Sequence, residues 1–502
     1  MLGLFKKYSS ISSRTGILIF TGILLLGVFL RFNLLSEIPN GLQQDETSIG
    51  YNAYSIVQTG RDEYGKEYPV LFKAFGEYKL PGYIYLSALP IWTFGPSAFA
   101  VRFVSAFFGS LSIVILYLLL REMIGKKDVV VPLVASFLLA VNPWHLHFSR
   151  GAFEVTPALF FILTGVYLYF VSLRRKSIAL LLLSIFVGSL SVYTYNIARA
   201  FTPLLYASMF LLYRPDHFVR SGRQKILVVF LVVVLCGLFI YHVLQNGGYS
   251  STSGTLLFSS AEVQARLLEF RSYLVVLPPL FTKIFFNISV LSLFQYMQNS
   301  LSYFSVSFLF LTGSAHGNHG IGNVGQMYII ELLFVCVGLV VSAKTGAKQY
   351  LFFLLWATFV ILVAATTREA PHATRGFFLI IPLVVFSAVG CISIIRFFIT
   401  RTKRSIRYGS IVVISLFFIF NMLYYLVSYY NRFPIFYAPQ WRSEDAALVD
   451  FLHANESKYE QILIDKDTDL IYSSLLYHLP FPPKEFQETV KRLPDDSEGF
   501  SN

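Results

Sequence analysis

The chain has 502 residues, 55% of them hydrophobic and 14% charged, with a formal net charge of +12 and a mean hydropathy of +0.61. Soluble domains average about 25% charged residues, so this composition excludes an ordinary water-covered fold. The apolar residues fall in long runs, as membrane spans do, and no soluble module interleaves basic residues with aromatics, which speaks against nucleic-acid binding.

Lys6, Lys7 and Arg14 precede an apolar run from Ile17 to Leu30. No small-residue cleavage site follows, so the run reads as a retained first helix rather than a removed signal. The expected spans are 16–32, 98–120, 128–144, 155–173, 177–194, 199–213, 225–244, 326–343, 349–366, 376–396 and 408–428. Each is near the ~20 residues that a bilayer requires. Cys236, Cys336 and Cys391 lie singly inside apolar runs, without the spacing of a zinc site or a disulfide framework.

Alternate loops are basic. Lys6, Lys7 and Arg14 are followed by Arg121, Lys126 and Lys127, by Arg174, Arg175 and Lys176, and by Arg214, Arg220, Arg223 and Lys225. Lys344 and Lys348 come next, then Arg396, Arg401, Lys403, Arg404 and Arg407. The positive-inside rule puts these loops and the N-terminus in the cytoplasm and the C-terminus outside. The segment 280–311 is apolar but holds Lys283, Asn287, Gln295, Gln298 and Asn299. A span there would break the alternation, so a helix lying in the interface is expected.

The fold class is therefore an all-α, multi-pass protein of the cell membrane with about 11 spans. Its outer segments 33–97, 245–325 and 429–502 are long, and long loops carry function. Residues 1–430 read as the transmembrane unit and 431–502 as a small extracytoplasmic α/β element. In that element Ser443-Glu444-Asp445 opens a helix, Gln461–Ile464 reads as a strand, 470–478 reads as helix-like, and the chain from Pro482 reads as loosely ordered.

In the first outer loop Asp45 and Glu46 are adjacent. Ile49, Ala53, Ile56 and Val57 make an apolar stripe at helical spacing, which suits a helix over 46–59 on the membrane surface. Asp45 fits both an N-cap of that helix and a general base at the bilayer edge. Arg61, Asp62, Glu63 and Gly65 form a turn, and a second surface helix is expected from Pro81.

The words NGLQQDETSIGYNAYSIVQTG, Lys79-Leu80-Pro81-Gly82-Tyr83, Phe94-Gly95-Pro96-Ser97 and Val101-Arg102-Phe103-Val104-Ser105 follow in order. Asn142-Pro143-Trp144, His147-Phe148-Ser149-Arg150 and Phe153-Glu154 come after them in the second outer loop. This set resembles the GT-C-fold glycosyltransferases, above all those related to protein O-mannosyltransferases and aminoarabinose lipid A transferases. The likeness covers about the first 210 residues; the remainder matches in layout.

The resemblance implies transfer of a sugar from a polyprenyl-phosphate carrier to an acceptor outside the membrane, the acceptor being a protein, a lipid or a glycan. It implies Asp45 as the catalytic carboxylate with Glu46 in support, Lys79 near the donor phosphate, and Glu154 as the second acidic position. A leaving phosphate needs its charge stabilised, and guanidinium groups suit phosphate. Arg150, Arg199 and Arg375 are thus donor-phosphate candidates, against the plainer reading of cations at helix ends. TTREAPHATR crowds Arg368, Glu369, His372 and Arg375 into one loop, and the Gly-rich stretch 313–325 carries His316 and His319. These residues are candidates for substrate binding. No cofactor is certain, and divalent-metal dependence stays open, since Asp45, Glu154 and a histidine could ligate a cation. The competing class is a transporter or flippase of a lipid-linked or polar substrate, which would place its charges nearer mid-membrane.

Overall fold

The computed structural model describes residues 12–75, 77–125, 128–215, 218–219, 221–245, 261–273, 279–314, 316–462, 464 and 471–490. Lys6, Lys7, Lys126, Lys127 and Arg220 of the basic loops lie outside these residues, as do 246–260 of the second long segment.

Helices occupy all eleven expected spans. In chain order the first elements are α1 (Ser13–Phe32), α2 (Gln44–Thr59), the strands β1 (Phe72–Ala74) and β2 (Glu77–Lys79), and α3 (Pro81–Phe94). Next come α4 (Ala98–Ile124), α5 (Val130–Val141), α6 (Pro143–Phe148), α7 (Val155–Arg175), α8 (Ile178–Leu190), α9 (Ala198–Leu212) and α10 (Gly222–Gln245). They are followed by α11 (Ala261–Tyr273), α12 (Pro279–Phe285), α13 (Ile288–Ser302), α14 (Ile329–Thr345), α15 (Lys348–Ala364), α16 (Ile380–Arg401) and α17 (Arg404–Val427). The tail adds α18 (Ser443–Asn455), α19 (Ile471–His478) and α20 (Pro483–Thr489).

Five described helices are long and apolar enough to cross a membrane: Arg14–Phe32, Ala98–Ile124, Val155–Arg175, Phe377–Arg401 and Arg404–Phe436. Val130–Val141, Ile178–Leu190, Ala198–Leu212 and Lys348–Ala364 are apolar but shorter. Across 280–311 the chain breaks into α12, α13 and a π turn at Ser307–Leu311, none long enough to span.

Local chemistry sets the helix starts. Ser97 Oγ accepts from Ala100 N at 3.3 Å and Asn142 Oδ1 from His145 N at 3.0 Å, satisfying first-turn donors that have no helical partner. Pro81 and Pro143 sit where a helix needs no N–H. The bundle packs α7 against α4 and α8, and α14 along α16. The α14–α16 contact is close because Gly338 and Gly390 face it. A Cβ on Gly338 would fall 1.9 Å from Phe386 O, and one on Gly390 would fall 1.8 Å from Phe334 O.

The segments expected outside meet at one end of the bundle. Gly82 N donates to Tyr193 O at 2.9 Å, Trp144 N to Gln326 O at 3.3 Å, and Trp441 Nε1 to Gly317 O at 3.3 Å. At a basic-loop end Arg174 pairs with Glu122 at 2.7 Å.

Three expectations need correction. The helix carrying the acidic pair starts earlier than expected, so Asp45 lies in its first turn and Gln43 is the cap, with Glu46 Oε2 accepting from Gln43 N at 3.1 Å. That helix is not laid on a membrane surface: Ile49, Ala53 and Ile56 are buried, and so are Thr47, Ser48 and Ser55 on other faces. It is sandwiched between α3 and the tail helices α19 and α20. Gly50 meets the Tyr477 ring, and Gln487 Nε2 donates to Ser55 Oγ at 3.0 Å and Asp62 O at 2.9 Å. Thirdly, the described tail is helical: residues 461, 462 and 464 are not strand, and Pro483–Thr489, within the stretch expected to be loose, forms α20 seated on α2, while 491–502 lie outside the described residues. The hairpin β1–β2, with Phe72 opposite Lys79, had no counterpart among the expected elements.

Replacing Gly390 by Val should drive α14 and α16 apart and cost about 1–3 kcal/mol, the usual range for overpacking. Thermal unfolding of the purified chain in detergent reads this as a lower midpoint, while Gly409→Ala, a helix-interior site whose Cβ would meet nothing within 4 Å, should not lower the midpoint.

Candidate active site

Glu46 builds the site from behind. It is fully buried, and Arg102 of α4 holds it in a two-pronged pair, Nε to Oε1 at 2.9 Å and Nη2 to Oε2 at 3.0 Å. Ala152 N donates to Oε1 at 2.9 Å, so this carboxylate ties α2 to the loop that ends at Glu154. Both oxygens are committed and neither faces an opening. Glu46, grouped with Asp45 as its support, therefore holds the backbone around the site and presents no free oxygen to a substrate.

Asp45, one residue earlier, points the other way. Lys79, delivered by the end of β2, forms an ion pair with Asp45 Oδ1; the Lys79 side chain is 13% exposed and that of Asp45 60%. The ammonium holds the Asp45 carboxyl below the usual carboxylate range, His319 adds to this, and burial opposes it. Glu154, just ahead of α7, goes the other way: burial and then the charge of Asp45 push it up to about 7, with Lys79 opposing. Two carboxyls with ionisation driven apart are the usual mark of divided acid and base roles.

The far wall carries neutral imidazoles. His319 and His372 lie with ring centroids 4.7 Å apart. Burial lowers His319 to about 3, with His147, His316 and Arg375 adding and Asp45 opposing, and lowers His372 to about 2, with His319, Arg375 and His316 adding. Nδ1 of each is buried without a hydrogen-bond partner, and buried polar atoms in that state call for a ligand or water. Arg375 Nη1 donates to Glu369 O at 3.3 Å, and its guanidinium acts on Tyr195 and Tyr303 as well as on the histidines.

The structure therefore gathers Asp45, Lys79, Glu154, His319, His372 and Arg375 from five separate segments, with His316 exposed at the rim. Arg199, half-buried in the first turn of α9, and Arg368, exposed, are not among the groups acting on the ionisation of Asp45, Glu154, His319 or His372. Arg150 is a correction. Its guanidinium is buried and spent on backbone: Nη1 reaches Leu30 O at 2.7 Å and Nη2 reaches Ile38 O at 3.0 Å, with Tyr429 and Tyr430 against its faces. No donor is left for a phosphate.

Arg102, a lone cation inside an apolar run, was quoted only within a word and given no role, and Tyr195 was read only as one of the aromatics of the outer interface. His147, buried with Nε2 2.8 Å from Asn318 O, was noted only as part of a word. Among the described residues no three His, Cys, Asp or Glu side chains converge as a metal site, and the place of a cation on Asp45 is taken by Lys79.

Apolar helices packed in a bundle, with the outer segments gathered at one end, are the architecture this chain shares with solved GT-C-fold structures. The chain has that fold, as its opening words led us to expect. Residues 79–242 match the family model described as dolichyl-phosphate-mannose-protein mannosyltransferase. Among solved structures the chain is similar to the archaeal oligosaccharyltransferase AglB from Archaeoglobus fulgidus, in complex with an inhibitory peptide and a dolichol-phosphate. The TM-score there is 0.54 at 14% identity, covering 98% of this chain and 62% of that one. It is also similar to ArnT from Cupriavidus metallidurans bound to undecaprenyl phosphate, with a TM-score of 0.55 at 11% identity over 94% of this chain and 86% of that one. The chain thus spans less than two thirds of the archaeal enzyme's length. No curated protein matches it.

Two outcomes follow from this geometry. Glu46→Gln leaves Arg102 buried without its counter-charge and should cost about 3–5 kcal/mol, whereas Asp45→Asn, at an open ion pair, should cost no more than about 1 kcal/mol. Chemical unfolding of the two variants compares them. Secondly, a carboxyl raised on folding binds its proton more tightly in the folded state. Glu154 therefore contributes stability below its unfolded value and loses it as pH rises through about 7. Glu154→Gln should be more stable than the parent at pH 8 and equal to it at pH 4 in thermal unfolding.

Proposed function

We propose that the chain is a membrane glycosyltransferase that moves a sugar from a polyprenyl-phosphate donor to an acceptor hydroxyl on the extracytoplasmic side. The observation that carries this reading is the Asp45–Lys79 ion pair facing Glu154. Carboxylate, cation and second carboxyl are what the reaction requires at one place.

Asp45 takes the proton from the acceptor hydroxyl as its oxygen attacks the anomeric carbon. The bond from that carbon to the phosphate oxygen breaks through an oxocarbenium-like state, and the electron pair leaves on the phosphate. Lys79 and Arg375 neutralise the charge that grows there. His319 and His372, held neutral, offer both a donor and an acceptor to sugar hydroxyls without adding charge. Tyr195 supplies an aromatic wall beside Arg375.

The basic loops support a cytoplasmic N-terminus, an extracytoplasmic site and tail, and about eleven crossings in place of the five that length and apolarity alone identify. A protein acceptor fits the peptide held by the archaeal neighbour, and a lipid or glycan acceptor uses the same hydroxyl chemistry. A transporter of lipid-linked cargo, the competing class, would not depend on a carboxylate at the membrane edge.

Asp45→Asn, reconstituted in proteoliposomes with labelled polyprenyl-phosphate sugars, should keep its helical content and lose transfer by about 10²–10⁴-fold, the range for a general base. Transfer at the parental rate would refute the assignment of the base.

A further inference from the structure

In the ligand-free chain the carboxylate assigned as base is occupied. Lys79 Nζ donates to Asp45 Oδ1, and of all the groups around Asp45 it acts most strongly on that carboxyl. Such a carboxylate is a poor base, because the ammonium stabilises the very charge that proton uptake must discharge. Lys79 is also the cation best placed for a donor phosphate. Its charge sits on a flexible four-carbon stem at the end of a two-stranded hairpin, so it can move between two anions without moving the backbone.

We propose that Lys79 masks Asp45 until a donor phosphate draws the ammonium away, so that the base becomes competent only when the donor is bound. This rests on the glycosyltransferase reading above. Charge on the leaving phosphate grows as the glycosidic bond breaks, so the pull on Lys79 is strongest when Asp45 must accept the proton. Donor binding therefore precedes productive use of the acceptor. The other groups facing Asp45 do not replace the lysine. His319, from the Gly-rich loop, is neutral at physiological pH, and Glu154, from the loop ahead of α7, repels Asp45 when ionised. Once Lys79 leaves, that repulsion adds to the proton affinity of Asp45.

The test uses the full chain, labelled with carbon-13 aspartate in nanodiscs, and infrared difference titration with Asp45→Asn as the assignment control. Undecaprenyl phosphate is the probe. Saturating probe should raise the proton affinity of Asp45 at least tenfold. Ligand-free Lys79→Gln should already titrate at the raised value, with little further change on adding probe. The masking is overturned if bound probe leaves Asp45 unchanged, or if ligand-free Lys79→Gln titrates like the parent. It is equally overturned if the full shift persists in Lys79→Gln, since phosphate repulsion alone would then explain it. Probe binding is followed separately by native mass spectrometry. A parent chain that does not bind undecaprenyl phosphate refutes the donor class itself, whereas binding without a shift refutes only the masking.

Discussion

The carboxylate of Glu46 decides where the one beside it, Asp45, can sit. A buried, ionised carboxyl is costly unless every lone pair is used, and here Arg102, the Gln43 amide and the Ala152 amide use them. The same arginine reaches beyond it to Leu35 O at 3.2 Å and Pro39 O at 2.9 Å, and to Gly41 O. The loop from the first helix to α2 is thereby fixed along most of its length, and Asp45 inherits its direction from that scaffold. Since Ala152 is two residues from Glu154, the distance between the two acidic loops is set by the same node.

Three buried arginines share this style. Arg31 donates to Gly27 O at 2.8 Å and Ala140 O at 3.0 Å, and its Nη2 lies 2.7 Å from His145 Nδ1. Arg150 and Arg102 collect the carbonyls of 30–41. Guanidinium suits the role because its five donors radiate in a plane and its charge is weakly hydrated. Carbonyl dipoles at helix ends and in tight loops, otherwise orphaned, become its ligands. The cations that remain for chemistry, Lys79 and Arg375, differ by being partly open and by leaning on one carboxylate or one turn, which a substrate anion can displace.

The tail completes the site although it lies about 400 residues from Asp45 in sequence. Trp441 is buried with its ring against Arg102, and its carbonyl closes on Gly41, where a Cβ would fall 2.2 Å away. Tyr477 packs on Gly50 and bonds Ser97 at both N and O. A helix so enclosed on both sides cannot slide or tilt, which is what preorganisation of a reacting carboxylate demands.

The sequence by itself determined the class of fold, the places of the helices and the outer segments in which a site was to be sought. Hydropathy, loop charge and a run of short words are local signals, and the constraint of the bilayer makes them strong. It also singled out Asp45, Lys79 and Glu154, because ionisable residues at the edge of apolar segments are few. Tertiary structure alone decided which polar side chains are buried among partners and which stand open to a substrate. Glu46 and Arg150 look as functional as Asp45 and Arg375 in one dimension. Their roles separate only when burial and partners are counted, since a charge spent on backbone carbonyls cannot also bind substrate. The same holds for the tail, whose seat on α2 depends on small contacts such as Gly50 against Tyr477 that no periodicity encodes.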